Sequence, residues 1–167
     1  MALSLVISGL DAGYGAVKAL RGVSLHVEAG ETVALLGTNG NGKSTLMKCV
    51  AGLVRPQRGS LSLTIDGTVH DLTRLSPEAI VDLGVAMVPE GRRLFPKLTV
   101  LENLMLGAFR KAARRDIDKN LAQAFETFPV LKDQKKQLAG TMSGGLLYAN
   151  GFAPSCAIRL RRRDRAA

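Results

Sequence analysis

Trp is absent, cysteine occurs twice, and no stretch reaches eighteen consecutive apolar residues. Each shortage excludes something. Cys49 and Cys156 form no metal-ligand spacing, and isolated cysteines among apolar neighbours read as small core residues in a reducing compartment. Without a long apolar run there is no candidate membrane-spanning helix, and Met1 to Leu10 lacks the basic segment that opens a secretory leader. The chain is therefore expected to be neither secreted nor membrane-spanning by itself. Acids are scarce towards the end, where Asp164 is the only one after Asp133.

What is present is the profile of a globular chain with many tight turns: 46% hydrophobic and 22% charged residues, with 18 glycines. A length of 167 residues suits one domain or a large fragment of one. The net charge of +9 would suit nucleic acid or anionic lipid as a partner, but its distribution argues against that. Residues 1–145 carry an excess of +5, and the last 22 residues carry +4 from five Arg against Asp164.

Short apolar and polar runs at Leu3–Leu10, Ala19–Val27 and Thr32–Leu36, separated by glycine-bearing turns, predict a strand-rich beginning. The third run, Thr-Val-Ala-Leu-Leu, is continuously apolar and reads as a parallel strand covered on both faces. A helix is predicted from the following loop to Gly52, and a strand over Ser60–Ile65 closed by Asp66-Gly67. Ser76-Pro77-Glu78 supplies an N-cap, a first-turn proline and an early acid, so a short helix should run to about Leu83. Gly84–Val88 reads as a buried strand. Helices are predicted over Leu98–Arg115 and Ile117–Phe128, followed by a basic Lys132–Gln137 segment leading to Ser143-Gly144-Gly145.

The chemistry concentrates in Gly37-Thr38-Asn39-Gly40-Asn41-Gly42-Lys43-Ser44-Thr45, which satisfies the Walker A pattern between a predicted strand and a predicted helix. Glycines let such a loop wrap closely, so that successive main-chain N–H groups point at phosphates while the helix presents its positive end. Lys43 would contact the β and γ phosphates, and the Ser44 hydroxyl would ligate Mg²⁺.

Phosphate loops serve kinases, GTPases, motors and transporters alike, so other segments must choose among them. Gly13-Tyr14-Gly15, the run from Leu35 to Thr45, Val88-Pro89-Glu90-Gly91-Arg92-Arg93-Leu94-Phe95-Pro96, Leu98-Thr99-Val100-Leu101-Glu102-Asn103-Leu104 and Ser143-Gly144-Gly145 do so. Together they resemble the ATP-binding cassette proteins, and most closely those of branched-chain amino acid importers, over residues 1–145. The resemblance implies an α/β fold: a P-loop NTPase sheet with an antiparallel β edge and a helical insert, incomplete at the C-terminus. It divides the chain into a core (1–95), a helical insert running to the signature motif (96–145) and a basic tail outside the family pattern (146–167).

The resemblance also implies ATP and Mg²⁺ as ligands. Tyr14 would stack on adenine, Glu90 would stand where most cassettes place a glutamine that senses the γ phosphate and the metal, and Ser143-Gly144-Gly145 would cap the γ phosphate held by an opposing subunit. Implied partners are transmembrane permease subunits and a second ATP-binding subunit, with the chain cytoplasmic and peripheral on the inner face of the membrane.

Hydrolysis needs a carboxylate on an apolar strand to organise Mg²⁺ and a residue to position water. The family supplies these as Asp-Glu after four apolar residues, with a histidine farther on. Neither follows Gly145, and His26 and His70 lie upstream. No catalytic residue is assigned, and a chain deficient in hydrolysis is expected. The pattern departs abruptly at Leu146, which reads as a shifted reading frame; alternatively Leu146–Ala167 is a nucleic-acid or lipid-binding arm. A non-hydrolysing nucleotide-binding module is the competing reading.

Overall fold

The computed structural model describes residues 3–88, 94–107, 114–142 and the backbone of 157–160. These fall into two compact units, one within Met1–Met87 and Cys156–Ala167, the other within Val88–Ser155.

The first unit is organised by four antiparallel strands in the order β2-β1-β3-β4. Strands β1 (Leu3–Tyr14) and β2 (Val17–Glu28) form a long hairpin around Gly15-Ala16, and β3 (Arg58–Ile65) and β4 (Thr68–Asp71) form a short one around Asp66-Gly67. β1 pairs with β3, placing Leu5 opposite Leu63 and Ile7 opposite Leu61. Side chains alternate across a strand, so these residues share one face, which is buried.

Helix α1 (Lys43–Val50) covers that face with Leu46, Cys49 and Val50, whose spacing of three and four residues makes one stripe. Leu10, Ala12, Leu20, Leu72, Ile80 and Val85 complete the core. Each fully buried leucine contributes roughly 1.5–3 kcal/mol. Helix α2 (Pro77–Asp82) starts as predicted, with the Ser76 hydroxyl accepting from the Ala79 N–H at 3.3 Å and Pro77 in the first turn. Strand β5 (Val85–Val88) pairs with β6 (Ala157–Leu160) in a separate two-stranded sheet.

One predicted strand is not there. Thr32–Leu36 belongs to no ladder, and Leu36 is 90% exposed. A run covered on both faces is a strand only when neighbours lie along both edges, and the strands of the larger sheet instead pair antiparallel among themselves. Strand β4 was not predicted; four residues alternating around a turn give too short a signal.

In the second unit, helix α3 (Val100–Leu106) starts two residues later than the predicted Leu98–Arg115 helix because Thr99 caps it, and it ends before Gly107. The Thr99 hydroxyl accepts from the Glu102 N–H at 3.2 Å, and the Glu102 carboxylate accepts from the Thr99 N–H at 2.7 Å. Helices α4 (Ile117–Thr127) and α5 (Pro129–Asp133) follow, then a 3₁₀ turn over Ala139–Thr141. Val100, Leu131, Ala139 and Met142 form the unit's core. No described helix is long and apolar enough to cross a membrane.

Candidate phosphate-binding site

The loop Gly37–Gly42 ends against β2. Gly42 has φ +77°, and a Cβ on it would lie 2.5 Å from the Ala19 carbonyl oxygen and 2.7 Å from Leu20 Cδ2. Glycine alone lets the chain turn there and remain so close to the sheet. The turn delivers Lys43, Ser44 and Thr45 as the first turn of α1, which is anchored by its buried stripe and by the Leu46 N–H donating to the Gly42 carbonyl at 2.9 Å.

This helix start is electrostatically open. It has no side-chain cap and no acid in its first turn, so its free N–H groups keep their partial positive charge. Among the described residues, the main-chain N–H groups of Asn39, Gly40 and Gly42 donate to no main-chain acceptor. Asn41 N–H tightens the loop through the Thr38 carbonyl at 3.4 Å.

The Lys43 ammonium reaches back across the loop and donates to the carbonyl oxygens of Gly37 and Thr38, both at 2.7 Å. Free N–H groups, a helix N-terminus and a cation gathered around one short loop form a donor set that fits a phosphate group. Ser44 stands exposed on the first turn with its hydroxyl available, whereas the neighbouring Thr45 is buried.

Tyr14 lies at the end of β1, 49% exposed. Lys48, in the last turn of α1, places its ammonium 3.4 Å from the Tyr14 hydroxyl and 5.6 Å from the ring centroid. The sequence reading did not single out Lys48, since a basic residue in a helix's last turn is ordinary dipole complementation. Only the hairpin's placement beside α1 reveals the contact. A cation so placed lies beyond the hydroxyl end of the ring, and it leaves Tyr14 a half-exposed platform beside the helix that carries the loop.

Cys49 sits inside the core, and burial pushes its thiol pKa up to about 11, so it is an inert packing residue at neutral pH. Glu90, Ser143, Gly144 and Gly145 lie outside the described residues. The structure therefore brings together the loop, Lys43 and Ser44 on α1, and Tyr14 beside the same helix.

Residues 20–153 match the family profile described as ABC transporter. The chain is similar to the high-affinity branched-chain amino acid transport ATP-binding protein BraG of Pseudomonas aeruginosa, with 44% identity over 79% of this chain and 54% of that protein. It is also similar to the probable branched-chain amino acid transport ATP-binding protein LivF of Archaeoglobus fulgidus, with 34% identity over 81% of this chain and 56% of that one. A solved ATP-binding subunit of an ABC transporter superposes with a TM-score of 0.68 at 31% identity, covering 87% of this chain and 58% of that one. The chain thus spans about half the length of the curated relatives it matches.

Proposed function

The chain belongs to the ABC transporter family, and from that premise we propose that it is the nucleotide-binding portion of an importer's ATP-binding subunit, with branched-chain amino acids as the cargo class. The observation that carries this reading is the Lys43 ammonium, held 2.7 Å from two carbonyl oxygens of the loop at an uncapped helix start. A triphosphate offers that cation better acceptors than neutral carbonyls, because its anionic oxygens add Coulombic attraction to a bond whose donor alone was charged.

In this reading the main-chain N–H groups of Gly37, Thr38, Asn39, Gly40 and Gly42, with those of Lys43, Ser44 and Thr45, bind the phosphates, and Asn41 joins them by giving up its long bond to the Thr38 carbonyl. Lys43 exchanges its loop carbonyls for the β and γ oxygens. Tyr14 supports the adenine. Ser44 and Glu90 hold Mg²⁺, which when bound neutralises phosphate charge. Ser143, Gly144 and Gly145 serve the γ phosphate of a second ATP-binding subunit, and permease subunits at the inner face of the membrane are the other partners.

Turnover is a separate matter. Positioning and charge stabilisation supply nearly all phosphoryl-transfer catalysis, so any phosphate release by the purified chain should be abolished by Lys43→Ala, and release that survives the substitution would detach turnover from this loop.

Displacement of a fluorescent ATP analogue tests the binding reading itself. ATP and ADP should compete and AMP should not, because the loop grips the phosphates beyond the first. AMP competing as well as ATP would contradict it.

A further inference from the structure

The sheet ladder fixes where Tyr14 stands but not where its ring points. Tyr14 pairs with Val17 at the end of the β1–β2 hairpin, so its main chain is set by the register. Its neighbours in sequence, Gly13 and Gly15, carry no side chains, and its cross-strand partner Val17 is itself 70% exposed. The direction of a half-exposed ring so placed falls to a contact from outside the hairpin.

That contact comes from α1. The Lys48 ammonium donates to the Tyr14 hydroxyl at 3.4 Å while staying 5.6 Å from the ring centroid. A bond at the hydroxyl fixes the direction in which the ring projects and leaves the ring faces to a ligand. Lys48 is well placed to hold it. The buried residues Leu46, Cys49 and Val50 anchor the helix on either side of it, and its carbonyl accepts from the Leu53 and Val54 N–H groups at 2.8 and 3.2 Å. Complementing the helix dipole would call for an ammonium beside the terminal carbonyls. Helical side chains lean the other way, towards the N-terminus, and this one ends on the tyrosine.

We propose that Lys48 is a positioning residue for the nucleobase, aiming the Tyr14 ring by tying its hydroxyl to the last turn of α1. The inference rests on the nucleotide reading above, in which Tyr14 supports the adenine and the loop binds the phosphates. Lys43 and Lys48 lie on one helix, about 7.5 Å apart along its axis, so the base platform is held at a set distance from the phosphate loop. Lys48 acts through the tyrosine and not on the nucleotide. Its contribution is preorganisation: the ring gives up its freedom before the nucleotide arrives.

Titration calorimetry of the full chain with Mg·ATP, and with Mg²⁺ plus inorganic triphosphate, which has phosphates but no base, tests this. The quantity read is the ratio of the two affinities. Loss of a positive charge weakens both polyanions, so the ratio isolates the base, and triphosphate binding reports that the loop is folded in each variant. Lys48→Met keeps an unbranched stem and removes the donor; it should lower the ratio about three- to tenfold, the worth of one ordered side chain. Lys48→Arg keeps a cationic donor and should hold the ratio within about twofold. Tyr14→Phe keeps the ring without its hydroxyl and should match Lys48→Met, and combining the two should lower the ratio no further.

A ratio unmoved by Lys48→Met would overturn the proposal, as would a Lys48→Met effect that persists in full on the Tyr14→Phe background. Equal binding of ATP and triphosphate by the wild-type chain would overturn it while leaving the phosphate loop intact. Binding of neither ligand would instead remove the nucleotide reading, and this inference with it.

Discussion

Two stretches of this chain lead into a helix, and they do so in opposite ways. From Phe95 to Asn103 the backbone is laced down. The Asn103 amide accepts from the Phe95 N–H at 2.9 Å and donates to the carbonyls of Phe95 and Thr99 at 3.1 and 2.9 Å, while Thr99 and Glu102 cap each other. Val100 N–H is taken by the Gln137 carbonyl at 2.9 Å. From Glu31 to Lys43 there is no ladder and no side-chain cap, and the side-chain hydrogen bonds that Lys43 makes go to the loop itself. A helix start that satisfies its own N–H groups has nothing left for a ligand; one that leaves them free can bind an anion but stabilises nothing until it does.

Removing the clasp on α3 should break this contrast most visibly. Asn103→Ala takes the partner from the Phe95 N–H, while the Phe95 and Thr99 carbonyls keep the Leu98 and Asn103 N–H donors, so the cost should be about 0.5–1.5 kcal/mol in urea denaturation. Leu36→Ala, in the open stretch, should move stability by no more than about 0.5 kcal/mol, as exposed positions do. Equal losses would mean that the open stretch is held after all. Thr99→Ala should cost about 1 kcal/mol, the usual value of a lost N-cap.

The smallest effect concerns pH. The Thr99 N–H and hydroxyl hold the Glu102 carboxyl below its ordinary pKa. A depressed folded-state pKa stabilises above the unfolded value and loses that contribution as pH falls through the folded value. Glu102→Gln should therefore flatten the stability profile on the acid side of about pH 4.5 and leave its slope near neutrality unchanged. An unaltered acid limb would remove Glu102 from the cap's electrostatics.

How far the sequence alone reached follows the same division. Elements specified by their own residues were legible: strands β1 and β2, though not their pairing, from alternation between turn glycines, α2 from Ser76-Pro77-Glu78, and α1 from the loop pattern. The start of α3 was written in Thr99 and Glu102, but apolar periodicity beginning at Leu98 obscured it. Thr32–Leu36 failed for the opposite reason. Its composition is that of a buried strand, yet burial depends on partners elsewhere in a chain, and local pattern carries no information about whether they are present. Within the site, the loop, Lys43 and Ser44 could be read from spacing, while the approach of Lys48 to Tyr14 is a consequence of tertiary placement.

Titration calorimetry of Mg·ATP into the folded chain and into Lys43→Ala tests the central assignment most directly. The wild-type chain should bind, and the substitution should weaken binding by at least about tenfold, or about 1.4 kcal/mol, without lowering stability, since the Lys43 ammonium bonds only to exposed loop carbonyls. Equal affinity in the two proteins, or no binding by the folded wild-type chain, would contradict the assignment of Gly37–Thr45 as a nucleotide-phosphate site.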